Sequence, residues 1–430
     1  MSTQPAEASA VGSSTPPAPA TPPAGSATPA GTPSRRSRRA RVAVAALFLT
    51  NGALFANVVP RYPQIKAELG VSNAVLGTAL AAMPLGALLA GLLAAAAIRR
   101  FRSARVAALG IVLLAASTLA IPVAPGWVVF AAVIGVVGAL DALIDVAQNS
   151  HGLRVQRLYG RSIVNSFHGL WSVGAVLGGV MGSAAAGLRV PLGVHLAVSA
   201  VLFSAVALVA YRFLLPGPDD TERAAAPDPE AGGARAGRRA VAGAAVRLLG
   251  VLGVLAACGA LVEDAGASWG ALYLSEDLGA GAAVAGLAFV ALQTAMTVGR
   301  LTGDRVVDRF GQRTVVRTGG LLAAVGMGLA LSLPSVPTTL AGFALAGLGT
   351  ATLVPAAMHT ADEIPGLSGG TGLTVVSWLL RGGFLLSPPL VGFVADLSSL
   401  RVGLLSVVLA GVLTVVLGRV LLDRVPGATG

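Results

Sequence analysis

An all-α polytopic membrane protein, with twelve transmembrane helices in two six-helix bundles, is the fold class this chain predicts, and three observations predict it. Of 430 residues, 55% are hydrophobic and only 11% charged, less than half the charged share of a soluble domain. Apolar runs long enough to cross a hydrocarbon core of about 30 Å recur along the whole sequence. The two halves of the chain also repeat each other in one register.

Twelve runs are read as spans: Val42–Val59, Ala74–Ile98, Val106–Val123, Trp127–Gln148, Ile163–Gly187 and Leu192–Leu214, then Leu248–Leu274, Ala282–Val306, Val315–Leu333, Leu340–Met358, Thr371–Val394 and Val402–Leu421. Buried helices of a soluble enzyme would need polar faces that these runs lack. Pro84, Pro355 and Pro388-Pro389 are expected to kink their spans, which is tolerated where neighbours satisfy the freed backbone.

An offset of 209 residues aligns the halves. It places Leu69-Gly70 on Leu278-Gly279, Arg100-Phe101 on Arg309-Phe310, Gly138 on Gly347 and Gly174 on Gly383. The domain reading follows: a disordered tail over 1–40, an N-terminal bundle over 41–215, a polar Pro/Gly/Arg-rich linker over 216–246, a C-terminal bundle over 247–424 and a short tail over 425–430.

The net charge of +11 is not that of a nucleic-acid-binding protein, because it is confined to alternate loops. Arg35 to Arg41 precede the first span, Arg99 to Arg105 follow the second, Arg154, Arg157 and Arg161 follow the fourth, and Arg305 to Arg317 follow the eighth. The intervening loops hold only Arg61, Lys66, Arg189 and Arg401. Basic residues concentrate on the cytoplasmic side, so a cell-membrane protein with both termini cytoplasmic is expected. The loop from His359 to Gly370, which carries acids and no Lys or Arg, departs from the pattern. Arg35-Arg36-Ser37-Arg38-Arg39 has the look of a twin-arginine signal, but the long apolar run and the spans after it read as a retained first helix. The sole cysteine, Cys258, lies within a span, which excludes a disulfide framework.

The stretch Gly299-Arg300-Leu301-Thr302-Gly303-Asp304-Arg305-Val306-Val307-Asp308-Arg309-Phe310-Gly311-Gln312-Arg313 resembles the signature loop of major facilitator superfamily transporters. The runs Asp145 to Gly152 and Ser166 to Gly174, with Glu263-Asp264 ahead of Trp269, resemble the YbjJ/MosC-like branch of that superfamily. The resemblance covers Arg41 to Leu421 and implies the major facilitator fold and secondary transport, with cargo undefined. It also implies a cytoplasmic gate in which the loop's acids and arginines latch the two halves: Asp304, Asp308, Arg309, Gly311 and Arg313, with Arg300 binding the loop's carboxylates. Asp304 stands where the family pattern has glycine. The first-half counterpart, Ala94 to Arg102, keeps its basic residues and lacks the acid. Gly174-Ala175-Val176-Leu177-Gly178-Gly179 resembles the glycine motif of drug/proton antiporters, with Ala175 in place of proline; close helix packing through small residues would produce the same pattern.

Ionisable groups inside a span are costly and mark candidate transport residues. Asp141 and Asp145 are four apart, so they share a helix face that Asn149 extends. His168 reaches the depth of Asp145, which makes an Asp145–His168 pair the expectation. Glu263 and Asp264 lie mid-span but about 100° apart, so both cannot face one cavity equally. Glu263 is the expected proton carrier, because apolar surroundings favour the protonated carboxylate. Asp264 is expected to pair with Arg381, a guanidinium that does not deprotonate and that otherwise serves an anionic cargo. Asn51, Asn57, Gln293 and Trp378 complete the expected substrate cavity with Asn149 and Arg381. Asparagine at such positions is also common interhelical glue.

The chain has no Gly-x-x-x-x-Gly-Lys-Ser/Thr loop for ATP and no Gly-x-Ser-x-Gly elbow or zinc spacing. No catalytic residue, metal or cofactor is assigned. The expected function is proton-coupled transport of a small organic molecule by alternating access in a monomeric protein, with export by antiport preferred. Uptake of a sugar- or polyol-like solute by symport is the alternative. From other classes, a non-transporting sensor or an intramembrane enzyme on Asp141, Asp145 and His168 also remains.

Overall fold

The computed structural model describes residues 34–159, 163–219, 238–364 and 371–421. Of the disordered tail expected over 1–40, residues 1–33 lie outside these residues, but its last residues are not disordered, because the first helix already begins at Arg35; the tail over 425–430, Arg161 and most of the linker also lie outside. Among the described residues there are no strands, and twelve helical spans cross the molecule: Arg35–Leu69, Asn73–Gly91, Ser103–Val123, Trp127–Tyr159, Val164–Gly187, Leu192–Tyr211, Ala245–Asp277, Ala282–Phe310, Gln312–Ser332, Val336–Asp362, Thr371–Leu397 and Leu400–Val420. Each overlaps one expected run, and several extend a turn or more beyond the apolar segment because helix continues into the polar ends.

Interruptions follow the residues. The first span tightens into a 3-10 turn at Val59–Arg61, where Pro60 removes a donor, and it ends at Gly70 with φ of 62°. Breaks at Ala81 and at Ala351-Thr352 fall about one turn before Pro84 and Pro355, where each ring removes the i→i−4 bond. Pro388-Pro389 differ: the helix Thr371–Leu397 runs through them unbroken. The seventh span carries two π-helical segments, Ala265–Trp269 and Tyr273–Asp277, that hydrophobic periodicity does not reveal.

Glycine sets the helix spacing. Gly174, Gly178 and Gly182 form one stripe on the fifth span, and a Cβ at any of them would strike the backbone of Leu49, Ala53 or Asn57 on the first. The repeat appears in these contacts. Gly138 presses on the backbone of Met83, and its counterpart Gly347 presses on Leu292. Each partner is 209 residues on, so the sequence register is also the packing register. The antiporter-like glycine segment is thus fully used in packing, with Gly179 turned toward Phe289 of the other half. Replacing Gly178 by Leu is expected to cost about 1–3 kcal/mol through overpacking. Thermal unfolding in detergent should show the loss, while Gly250→Leu, at an open position, leaves the transition in place.

The halves meet most tightly at the end opposite the arginine-rich loops. Lys66 Nζ lies 2.7 Å from Glu276 Oε2. The Asp396 carboxylate accepts from the backbone N–H of Asn73 (3.0 Å) and Ala74 (2.8 Å), capping the second span from the eleventh. Trp269, fully buried, lies under the close approach of Gly77 to Pro388 and of Gly392 to Asn73. Between described residues, the hydrogen bonds and ion pairs that join the halves lie at this end.

Candidate functional site

A cavity of about 390 Å³ lies between the halves, midway along the spans. Its wall takes Phe55, Tyr62, Asp141 and Trp171 from the N-terminal half, and Glu263, Asp264, Phe289 and Arg381 from the C-terminal half. Phe55 stacks on Trp171 within its own half, with centroids 6.4 Å apart, and bridges to the other half by meeting Phe289 edge-on at 6.5 Å.

Each carboxylate has its own partner. Asn51 donates to Asp141 through Nδ2 at 3.0 Å, so Asn51 acts on the cavity through Asp141 rather than from its wall. The expected direct Asp145–His168 pair is not formed. Asn149 stands between them, donating to Asp145 Oδ1 at 3.0 Å and sharing a hydrogen bond with His168 Nε2 at 3.0 Å. The physical reason is length: Asn149 lies one turn beyond Asp145 on the same face and reaches its carboxylate first. His168 rests edge-on against Phe48.

The C-terminal half corrects two expectations. Glu263 and Asp264, adjacent at the end of an α-helical stretch, both line the cavity. Asp264 does not pair with Arg381. It accepts from Ser268 Oγ at 2.8 Å, and Ser268 is the residue one turn on. Arg381 makes no hydrogen bond or ion pair among the described residues, and it lines the cavity. Arg300 binds no loop carboxylate. Its Nη2 is 3.3 Å from Glu263 Oε2. A part-buried carboxylate gains more from a cation than the solvent-exposed Asp304 does.

Asn149 and three other proposed cavity residues lie outside the wall. Asn57 is buried and donates to the carbonyls of Ala53 and Leu54, and its Oδ1 accepts from Ser199, an interhelical role. Gln293 is buried outside the wall, and Trp378 is exposed outside it. Tyr62, Phe55, Phe289 and Phe384 were not singled out from sequence. An aromatic residue in an apolar run carries no mark that separates a cavity face from a lipid face. Trp171 had a signal, its place in the Ser166 to Gly174 motif.

The residues expected to form a gate make no hydrogen bond or ion pair to the N-terminal half among the described residues. Asp304, Asp308 and Arg309 are exposed, and Asp308 has no hydrogen-bond or ion-pair partner among the described residues. Arg309 lies over the ring of its neighbour Phe310. Arg313 Nε donates to Leu421 O at 3.0 Å, within its own half. Gly311 takes φ of 81° to turn the chain between the eighth and ninth spans.

Comparison with known proteins matches this architecture. Residues 252–430 match the family model described as Major Facilitator Superfamily. The chain is 33% identical over 384 residues to the membrane protein MosC of Rhizobium meliloti, covering 89% of this chain and 90% of that one. It is 30% identical to an uncharacterized transporter, y4wD, of Sinorhizobium fredii, over 88% of this chain and 97% of that one. Among solved structures, a bacterial homologue of the human lysosomal transporter Spinster, inward-facing and unoccupied, superposes with a TM-score of 0.69 at 16% identity, covering 92% of this chain and 99% of that one. With twelve spans in two repeat-related bundles, a cavity between them and these relatives along nearly its whole length, the chain belongs to the major facilitator superfamily of transporters.

Proposed function

We propose that this protein is a proton-coupled secondary transporter that moves a small organic molecule across the cytoplasmic membrane by alternating access, with export against proton entry as its direction. The observation that carries the reading is the interface cavity, which holds three carboxylates and one arginine from both halves and is closed at one end by contacts that only the two halves together make. Its volume falls within the range of about 300–1,000 Å³ usual for small-molecule sites. Under this reading the arginine-rich end faces the cytoplasm, the conformation is inward-open, and the signature loop engages when the cavity turns outward. Glu263 carries the proton and exchanges it for its contact with Arg300, while Arg381 and the aromatic wall hold the cargo.

A second reading, symport uptake of a sugar- or polyol-like solute, draws on the hydrogen-bonding series Asn51, Asp141, Asp145, Asn149 and His168 along the N-terminal half. Whole-cell accumulation of a metabolite panel, with and without an uncoupler, separates the two. An exporter's substrates rise inside the cell when the uncoupler is added, and a symporter's fall. No change for any substrate counts against coupled transport altogether. Arg381→Ala is expected to weaken binding of an anionic cargo by about tenfold or more, the loss of a buried charge-assisted contact. Equal affinity in a well-folded variant removes Arg381 from the binding site.

A further inference from the structure

The arginine-rich end carries a second cavity that transport does not use. A cup of about 780 Å³ is walled by Arg35, Arg36, Arg39, Arg102, Arg105 and Arg212 with no carboxylate among its lining residues. None of these six guanidinium groups has a hydrogen-bond or ion-pair partner among the described residues. The neighbouring carboxylate, Asp219, is already engaged by Arg154 at 3.2 Å and by the backbone N–H of Ser103 at 2.9 Å. The first and third spans begin here, at Arg35 and Ser103, and their N-terminal dipole ends add to the positive potential.

Two further features give the cup a direction and a cost. Arg39 and Phe213 also line an apolar groove of about 810 Å³ that runs along the membrane face between the first and sixth spans, walled by Val42, Leu202, Val206 and Val209. The cup and the groove are therefore continuous. In addition, Arg102 has φ of 72° and ψ of 147°, a region that is essentially restricted to glycine. Its repeat counterpart, 209 residues on, is Gly311 with φ of 81° and ψ of 145°. The second half relieves this turn with glycine, and the first half keeps a strained arginine that faces the cup.

We propose that this composite is a binding site for one anionic phospholipid, with the phosphate in the arginine cup and an acyl chain in the adjoining groove. A free anion would use the cup alone. A lipid uses both parts, and their continuity at the level of a lipid headgroup favours the lipid. Basic pockets at the membrane surface recognise anionic headgroups in this way.

Native mass spectrometry of the full chain, released from mild detergent with phosphatidylglycerol or phosphatidylcholine, tests the assignment. The expected result is retention of one phosphatidylglycerol with a preference of about tenfold or more. That preference should vanish in Arg36→Gln/Arg39→Gln/Arg105→Gln and persist in Arg247→Gln/Arg305→Gln/Arg419→Gln, which removes equal charge elsewhere. Val209→Trp should fill the groove and weaken lipid retention. Arg102→Gly should raise the melting temperature while lowering retention, a split that a purely structural arginine would not give. Equal retention of the two lipids, or equal loss in both triple variants, overturns the site. Displacement by millimolar inorganic phosphate with no effect of Val209→Trp assigns it to a free anion instead. A rise in retention on Asp220→Asn/Glu222→Gln assigns the cup to the chain's own linker, which also overturns the proposal.

Discussion

Glu263→Gln is expected to abolish uphill, proton-driven transport while leaving substrate exchange at equal pH intact. The glutamine keeps the shape of the side chain but neither binds a proton nor attracts Arg300, which stands 3.3 Å away. Accumulation should fall by at least about tenfold, equivalent to ~1.4 kcal/mol of lost driving force. Proteoliposomes loaded with a pH-sensitive dye report the proton directly, and a radiolabelled substrate reports exchange. If the variant still concentrates substrate in step with proton flux, coupling lies elsewhere. Asp141 and Asp145 are then next in line, and Asp141→Asn run in parallel identifies which half carries the proton. Arg300→Gln sharpens the result: exchange persists but coupling weakens, because the carboxylate has lost the partner that senses its charge.

The second large effect concerns the closed end. Gly77→Trp is expected to hold it apart, since even a Cβ at that position would collide with the carbonyl of Pro388. Net transport should be lost with the protein still folded, because the collision arises only when the halves close. Leu80 lines the cavity from this side, and Cys258 is the sole cysteine, so Leu80→Cys in a Cys258→Ala background gives an accessibility probe. A membrane-impermeant maleimide should label it at least about tenfold faster when Gly77→Trp is present, the population shift that ~1.4 kcal/mol of bias produces. Unchanged labelling in a monodisperse variant would show that this end does not open. Asp396→Asn should act in the same direction more weakly, by about 1 kcal/mol, because it replaces a charged cap of the second span with a neutral one.

The residues of these two predictions lie on the cavity wall and at its closed end, and the sequence exposes them unequally. Mid-span carboxylates were visible as such, because an acid inside an apolar run stands out whatever its neighbours. Asp396 drew no notice and Lys66 counted only toward topology, since a charge at a span's end is unremarkable until the other half is seen to meet it. The signature loop was conspicuous in sequence, yet its Asp304, Asp308 and Arg309 are exposed, because a motif is read from residue identity and not from contacts.

By itself the sequence determined the twelve spans, the two-bundle plan and the 209-residue register, because these rest on local hydropathy and on glycine spacing, which each residue carries with it. The contact of Gly138 with Met83 and of Gly347 with Leu292 shows that the register extends to packing. Tertiary structure alone decided partner choice. Arg300 turned to Glu263 rather than to Asp304, Asn149 came between Asp145 and His168, and Asp264 kept to Ser268. Each choice depends on helix rotation and on which group is shielded from water. A buried charge takes the partner whose absence would cost most, and sequence spacing does not encode that cost.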